Sequence, residues 1–257
     1  MGSDNPDEPG PVAAVGPFDT VGSFDTVGPF DIIGDVHGCF DELAELLVHL
    51  GYVPVARTGA HHPGGRRAVF VGDLANRGPA TPDVLRLAMS MVASGHAACV
   101  RGNHDVMLLE ALRSRRRAQA DGASQPARPV GAHKAPPSHG LAESLEQLAD
   151  EAPGFLAQVV IFLDGLASHL VLDGGKLVVA HAGVPAEPAG RAPEDAIVVY
   201  GHKPVEAAVW VDKTICIDTG CVYGGRLTAL RYPERELVSV AARRIYWVPA
   251  HLRGPGV

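Results

Sequence analysis

Cysteine is scarce in this chain of 257 residues. None of the four cysteines belongs to a C-x-x-C pair (Cys39, Cys99, Cys216 and Cys221). This spacing argues against a disulfide framework and against a zinc knuckle. It predicts buried thiols in a protein of a reducing compartment.

The chain also lacks a long apolar run, an excess of positive charge and a basic segment at its start. No stretch is apolar for long enough to span a bilayer. The formal net charge of −7 argues against general attraction to nucleic-acid backbone or anionic lipid. The acidic first residues are unlike a secretory signal. We therefore expect a cytoplasmic protein that binds neither membranes nor nucleic acids stably.

Segments rich in glycine and proline mark the predicted domain limits. Residues 1–28 are predicted to form a disordered tail, in which the unit V-G-P/S-F-D occurs three times. The third copy leads into the first predicted strand, and the unit is too short to bury a core of its own. One domain is predicted over 29–247, with a surface loop at 118–140 and a tail at 248–257.

Strands and helices alternate in the first half of the chain, and short strands dominate the second half. This order predicts one α/β domain of layered sheets with outer helices. Helices are predicted at Phe40–Leu50, Thr81–Ser94, Val106–Arg117, Leu141–Ala149 and Phe155–Leu163. Strands are predicted at Phe30–Gly34, Arg67–Gly72, Ala97–Arg101, Leu177–Ala180, Ile197–Tyr200, Thr214–Thr219, Leu227–Arg231 and Leu237–Val240.

Five short motifs follow predicted strands, and each places Asp, Asn or His beside a glycine or two residues from one. They begin at residues 34, 72, 102, 181 and 201 and read G-D-V-H-G, G-D-L-A-N-R-G, G-N-H-D, H-A-G and G-H. A glycine turn fixes the direction of a ligand, and neighbouring parallel strands can aim several ligands at one point. These residue types suit a pair of divalent cations with a bridging carboxylate.

Six side chains are the candidate metal ligands. Asp35 and His37 are two residues apart at a strand end, so they point to the same side and can hold one ion together. Asp73 ends the second strand and is the natural bridging carboxylate. The remaining ligands follow later strands, and the full set is Asp35, His37, Asp73, Asn103, His181 and His202.

The motifs resemble those of calcineurin-like metallophosphoesterases, in the phosphoprotein-phosphatase branch. Within that branch they are most similar to the phosphatase domain of bacterial polynucleotide kinase-phosphatases. The similar stretch runs from about residue 30 to residue 246 and also includes F-L-D-G-L at 162–166, I-D-T-G-C at 217–221 and L-T-A-L at 227–230. The resemblance implies an αββα sandwich of two mixed sheets, packed face to face with flanking helices.

The resemblance also implies a role for each motif residue. One ion would be held by Asp35, His37 and Asp73, and the other by Asp73, Asn103, His181 and His202. A hydroxide that bridges the ions would attack phosphorus in line. Arg77 and Asn103 would contact the substrate phosphate, and His104 would protonate the leaving oxygen. Mn is the expected metal because the ligands include no thiolate, with Fe, Zn, Ni and Co as alternatives.

Asn76 departs from the family pattern, which has Asp at this position of G-D-x-x-D-R-G. The family's Asp orients and charges the imidazole that corresponds to His104. Asn76 can accept a hydrogen bond from His104 but supplies no negative charge. Loss of general acid catalysis costs about 10²–10⁴ in rate when the leaving group is poor, and good leaving groups suffer least.

The segment between His181 and His202 is the second departure. The family places a longer segment there, with a second substrate-binding arginine, whereas this chain keeps only Arg191 in the interval. Lys203 stands where the family commonly has Thr, and it is expected either to meet substrate phosphate or to point to solvent. Histidines in other loops, His139 among them, are predicted to be solvated.

The substrate class stays open between a phosphoprotein, a phosphorylated small molecule such as a dinucleoside polyphosphate, and an RNA-end phosphate. No G-x-x-x-x-G-K-S/T loop occurs in the sequence, so a complete end-healing enzyme is not expected from this chain alone. The alternative function is a metal-binding, catalytically weakened protein that binds phosphate ligands or acts as a scaffold. Asn76 and the short interval favour that alternative, whereas the complete ligand set argues against it.

Overall fold

The computed structural model describes residues 27–55, 59–120, 139–182 and 195–248. They form two five-stranded mixed sheets, a small two-stranded sheet and flanking helices, which confirms the predicted layered α/β class. The helices described are α1 (Phe40–Leu50), α2 (Thr81–Ala93), α3 (Asn103–Ala120), α4 (Leu141–Gln147) and α5 (Pro153–Gly165). The strands described are β1 (Phe30–Ile33), β2 (Val53–Val55), β3 (Gly59–His61), β4 (Arg67–Phe70), β5 (Ala97–Cys99), β6 (His169–Leu172), β7 (Leu177–Ala180), β8 (Ile197–Tyr200), β9 (Trp210–Val211), β10 (Thr214–Cys216), β11 (Arg226–Tyr232) and β12 (Glu236–Ala241).

The first sheet has the order β12-β11-β1-β4-β5. Strands β1, β4 and β5 run parallel, while β11 pairs with β1 in the antiparallel sense. The second sheet has the order β6-β7-β8-β10-β9, and its β7, β8 and β10 are also parallel. Parallel strands end at the same edge of their sheet, so the segments that follow them are neighbours in space.

The two sheets pack against each other through apolar side chains. Ile32 and Val69 of the first sheet share one buried cluster with Val179, Val199 and Ile215 of the second. Full burial of such a side chain contributes roughly 1.5–3 kcal/mol. This core fixes the two sheets face to face, as predicted, and so brings their two ligand-bearing edges together.

Helix α1 shows how the outer layer follows from the sequence. Its leucines at positions 43, 46, 47 and 50 lie on one face and are buried in a second apolar cluster. Gly51 ends the helix at φ 95°, a left-handed conformation that glycine adopts without a side-chain clash. Helices α1 and α2 pack against β11, β12, β3 and β5, so the helices cover the outer face of the first sheet.

The structure corrects several sequence-based boundaries. Helix α3 begins at Asn103 rather than Val106, and it continues through Ala120, three residues into the predicted loop at 118–140. Strands β2, β3, β6 and β9 were not predicted. The tail repeats of residues 1–26, most of the loop at 121–138 and the interval 183–194 lie outside the described residues.

Among the residues described, no helix has both the length and the apolar character needed to span a bilayer.

Candidate active site

The ligand motifs meet where the two sheets present their parallel strand ends. Asp35 and His37 follow β1, and Asp73 follows β4. Asn103 and His104 lie in the first turn of α3, directly after β5, rather than in a loop. His181 follows β7 and His202 follows β8 in the second sheet. Both sheets therefore contribute to one cluster, which joins all six predicted ligand residues through the contacts given below.

Backbone carbonyls fix two of the histidine rings. His37 Nδ1 lies 3.0 Å from the Ala75 carbonyl oxygen, and His181 Nδ1 lies 3.0 Å from the Val71 carbonyl oxygen. Each Nδ1 therefore carries the proton and donates it, so each Nε2 presents a lone pair that a cation can bind.

Asp73 lies between the two rings. His37 Nε2 is 3.5 Å from Asp73 Oδ2, and His181 Nε2 is 3.4 Å from Asp73 Oδ1. Neutral ring nitrogens and carboxylate oxygens both offer lone pairs, so this arrangement is favourable with a cation between them. The position on both sides of one carboxylate fits a bridging ligand between two ions.

Asn103 joins the remaining two histidines. Its Oδ1 lies 3.0 Å from His181 Nε2 and 2.9 Å from His202 Nδ1. Asp35 accepts the backbone N–H of His202 at 3.1 Å. The donor set of oxygen and imidazole nitrogen, concentrated around Asp73, fits two divalent cations without any thiolate.

Four buried carboxylates concentrate negative charge at this edge of the sheets. Burial raises the pKa of Asp73 to about 7 and, with Asp218 and Asp73 as neighbours, raises the pKa of Asp35 well above its ordinary value. Burial also raises the pKa of Asp105 to about 7 and of Asp218 to about 6. Bound cations would offset this repulsion, and they would return the carboxyl groups to their charged form.

The backbone around the ligands is strained. Five non-glycine residues of the cluster have positive φ angles: His37, Asp73, Asn76, Arg77 and His202. Such conformations cost roughly 1–3 kcal/mol each and persist only where the surrounding structure holds them. Their concentration at one point supports a functional role for this cluster.

Asp105 holds the turn after β4 in place. Its carboxylate accepts the N–H groups of Asp73 at 2.9 Å, Leu74 at 3.0 Å and Gly102 at 2.9 Å. Asp105 belongs to the G-N-H-D motif, but no role was predicted for it. A buried carboxylate one residue after His104, at a helix start, is the signal that could have indicated it.

Arg77 spans the gap between a ligand and the candidate acid. Its two terminal nitrogens lie 2.7 Å from His37 Nε2 and 2.7 Å from His104 Nε2. The guanidinium also lies 5.5 Å from the centre of the Tyr223 ring, within the range of a cation–π contact. The planar guanidinium therefore lies in the cleft between the two histidines. By exchanging these contacts it could bind two oxygens of a phosphate.

Asn76 is buried against His104. Its Nδ2 lies 3.1 Å from His104 Nδ1 and donates to the His104 carbonyl oxygen at 3.2 Å, while its Oδ1 has no partner. A half-turn of the amide would let Oδ1 accept a proton from Nδ1, at the expense of the bond to the carbonyl. Burial and the nearby Arg77 lower the pKa of His104 to about 3, so the ring is uncharged at neutral pH.

His139 and Gly140 lie at the same cleft, although both belong to the predicted loop. The His139 side chain is exposed, as predicted, but its ring centre lies 6.2 Å from that of His104. The Gly140 carbonyl accepts the Arg77 N–H at 3.4 Å. Composition alone does not reveal this contact, because it depends on where the chain re-enters the fold.

Replacing Gly140 by alanine is expected to displace Arg77. A Cβ at this position would stand 2.5 Å from Arg77 Cα and 2.8 Å from its Cγ. Misplacement of a positioning group by about 1 Å can lower the rate about 10²-fold, so we expect a fall of this size in kcat/KM for nitrophenyl phosphate, measured by steady-state kinetics. Gly95→Ala is the matched control, because its φ of +74° resembles the +80° of Gly140 and nothing lies within 4 Å. Equal kinetics for both variants would contradict this positioning role.

The family model for calcineurin-like phosphoesterases matches residues 28–237. The chain belongs to this family. The chain is 34% identical to the bis(5'-nucleosyl)-tetraphosphatase PrpE [asymmetrical] of Anoxybacillus flavithermus, over 83% of this chain and 94% of that protein. Its identity to the protein of the same name from Halalkalibacterium halodurans is 36%, over 82% of this chain and 93% of that protein.

Solved structures agree on the fold. A crystal structure assigned provisionally as a diadenosine tetraphosphatase aligns with a TM-score of 0.60 and 23% identity, covering 85% of this chain and 95% of that chain. A serine/threonine phosphatase from Saccharomyces cerevisiae aligns with a TM-score of 0.53 and 12% identity, covering 89% of this chain and 82% of that chain. These structures confirm the predicted fold, and the family model and the relatives confirm the predicted superfamily.

Family membership defines the reaction class. The chain is a dimetal phosphoesterase, a hydrolase that depends on a dinuclear centre of divalent cations. The buried donor set around Asp73 fits that requirement.

Proposed function

We propose that this chain hydrolyses dinucleoside polyphosphates by cleaving a P–O–P anhydride bond. The clustering of the six ligand residues around Asp73, through direct contacts or through His181 and His202, carries the proposal of hydrolysis. The substrate class is supported by the relatives, which are tetraphosphatases by name and match over nearly their full length. Mn is proposed as the first metal to test, because the ligands combine carboxylate, amide and imidazole.

The ligand residues divide into two sets around Asp73. Asp35, His37 and Asp73 would hold one cation. The second would be held by Asp73, Asn103, His181 and His202, where His202 offers Nδ1 rather than Nε2. When bound, the two cations would lower the pKa of a water molecule and neutralise phosphoryl oxygens.

The remaining site residues bind the substrate and hold protons. The Arg77 guanidinium would bind the phosphoryl group at the cleft between His37 and His104. The Asn103 amide would be a further contact to that group. His104 would face the leaving oxygen through Nε2. Asn76 orients the opposite side of this ring at Nδ1, without adding a charge.

The uncharged Asn76–His104 pair favours an anhydride substrate. A departing polyphosphate is a much weaker base than a departing alkoxide, so it needs little protonation in the transition state. An alkyl phosphate depends strongly on a general acid, and His104 is uncharged at neutral pH. The site therefore suits acidic leaving groups.

The direct test is hydrolysis of diadenosine tetraphosphate by the purified protein with Mn²⁺, followed by anion-exchange chromatography. We expect AMP and ATP as products, and faster turnover than with glycerol phosphate, a phosphoserine peptide or an RNA with a terminal phosphate. Faster turnover of any of these monoesters would contradict the anhydride proposal while leaving the reaction class intact.

The weakened phosphate binder remains the second candidate, because Asn76 replaces the family's charged residue and its Oδ1 has no partner. This candidate predicts that diadenosine tetraphosphate binds the Mn-loaded protein without being hydrolysed. Calorimetric binding and product analysis on the same sample separate the two functions.

Lys203 is proposed to contact the outer phosphates of a long substrate. It is exposed and directly follows His202. Lys203→Ala is expected to raise KM for diadenosine tetraphosphate several-fold, with about 1 kcal/mol lost, and to leave kcat nearly unchanged. Lys213→Ala is the matched control, because Lys213 is exposed and pairs with Asp195. An unchanged KM in Lys203→Ala would show that this lysine only faces solvent.

A further inference from the structure

A second group of potential metal ligands lies outside the dinuclear site. It joins Cys39, Glu42 and Cys221, whose ligand atoms all lie within 4.8 Å of one another. All three residues are buried, with 0%, 0% and 2% exposure respectively. The thiols are buried as predicted, but the two cysteines are far apart in sequence, so their spacing could not reveal the pair.

Glu42 gives the group an unsatisfied acceptor. Its Oε1 accepts the backbone N–H of Arg243 at 2.8 Å and the hydroxyl of Tyr246 at 2.7 Å. Its Oε2 is buried and has no hydrogen-bond partner. A buried polar atom of this kind is costly unless something binds it.

Basic side chains near Glu42 are directed to other acids. The Arg243 guanidinium contacts Asp41 at 2.5 Å and Glu45 at 3.7 Å. Within the described part of the chain, no basic side chain forms an ion pair with Glu42. The buried carboxylate therefore has an unused oxygen beside two thiols, with no protein cation to face it.

We propose that Cys39, Glu42 and Cys221 form a buried site for one thiophilic divalent cation of the Zn²⁺ type. Two sulfur donors and one carboxylate oxygen are ligands that Zn²⁺ accepts, at distances that place donors about 3.5–4 Å apart. Each thiol loses its proton when the cation binds, and the three residues supply three of four tetrahedral positions. This site is separate from the dinuclear centre, whose ligands include no sulfur.

The location indicates a structural role. Cys39 follows the turn that carries His37 and immediately precedes α1. Cys221 begins the short 3-10 turn that carries Tyr223, whose ring lies beside Arg77. A cation bound between the two cysteines would therefore hold the turn with His37 against the segment with Tyr223, which contacts the Arg77 guanidinium.

Cobalt provides a test that does not depend on enzyme activity. The full chain is produced in cobalt-supplemented medium, because a buried site is filled during folding. It is then purified under reducing conditions. Thiolate-bound Co²⁺ gives a near-ultraviolet charge-transfer absorption that oxygen and imidazole ligands do not give. We expect this band, together with one metal equivalent more than the dinuclear centre requires.

Three alanine variants test which cysteines give rise to the charge-transfer band. Cys39→Ala and Cys221→Ala are expected to abolish it and to lose one metal equivalent. Cys99→Ala is the matched control, because it removes a buried thiol outside the cluster and should retain the band. Glu42→Gln, which conserves the shape of the side chain, is expected to weaken or shift the band.

Three outcomes would overturn the proposal. One is a cobalt-loaded, reduced wild-type protein without the charge-transfer band. Another is a band that persists in both Cys39→Ala and Cys221→Ala. The third is a Cys39–Cys221 disulfide, found by mass spectrometry after purification without reductant, in place of bound metal. None of these results depends on whether dinucleoside polyphosphates are hydrolysed.

Discussion

Replacing Asp73 by asparagine will abolish metal-dependent hydrolysis of diadenosine tetraphosphate. Asp73 is the one carboxylate within 3.5 Å of both His37 Nε2 and His181 Nε2 among the described residues. The amide keeps the size of the side chain but removes its charge and one strong oxygen donor. Because metal ions supply several kcal/mol of transition-state stabilisation, we expect kcat to fall by at least about 10³-fold.

Asp83→Asn is the matched control for this experiment. Asp83 lies in the first turn of α2, its side chain is 56% exposed, and its contact is an ion pair with Arg86. The same chemical change there should leave kcat and metal content unchanged. Elemental analysis should show less bound Mn in Asp73→Asn, and parent-level activity in that variant would rule out the bridging role.

Replacing Asn76 by aspartate will raise turnover of alkyl phosphates far more than turnover of nitrophenyl phosphate. The Asn76 amide nitrogen lies 3.1 Å from His104 Nδ1, and a carboxylate in the place of this amide would favour the protonated imidazole, which is the form that donates to a leaving oxygen. We expect an increase of about 10²-fold with glycerol phosphate and less than tenfold with nitrophenyl phosphate, because nitrophenolate leaves without help. Steady-state kinetics on both substrates measures the ratio.

The double variant Asn76→Asp with His104→Ala tests whether the increase in turnover of glycerol phosphate depends on the His104 imidazole. Without the ring, the added carboxylate has no proton donor to orient, so the advantage on glycerol phosphate should vanish. Equal increases on both substrates in the single variant would refute the general-acid argument. A gain that survives the loss of His104 would refute it as well.

The clustering of the six candidate ligands could be predicted from sequence because five of them are adjacent to a glycine near the end of a strand, and His181 lies two residues before one. Such positions are set by local geometry, and parallel pairing then brings them together. Strands β1, β7 and β8 were predicted almost residue by residue, since they are short apolar runs with clear boundaries. The two-sheet architecture came from family resemblance rather than from these patterns.

Contacts between distant segments could not be predicted in the same way. The carboxylate of Asp105 acts through backbone N–H groups, and His139 reaches the cleft only through the return of the chain at α4. Strand β9 has two residues and an exposed side chain, so it carries almost no periodic signal. The ligand roles, the domain limits and the metal identity stay predictions.

Because β1 lies inside the sheet, its pairing depends on the order in which the chain is synthesised. It is an inner strand, in which Phe30 pairs with Tyr232 and Ile33 with Ala229, so its partner is made roughly 200 residues later. At ordinary translation speeds a ribosome needs about 10–40 s to cover that distance. Throughout this delay the nascent chain exposes an unpaired strand edge and lacks the segments with His181 and His202 for much of the time. We therefore expect both cations to be loaded only after the segment with His202 has been made. A product truncated before β11 would contain all six ligand residues, but its β1 would be paired on one side only, with β4.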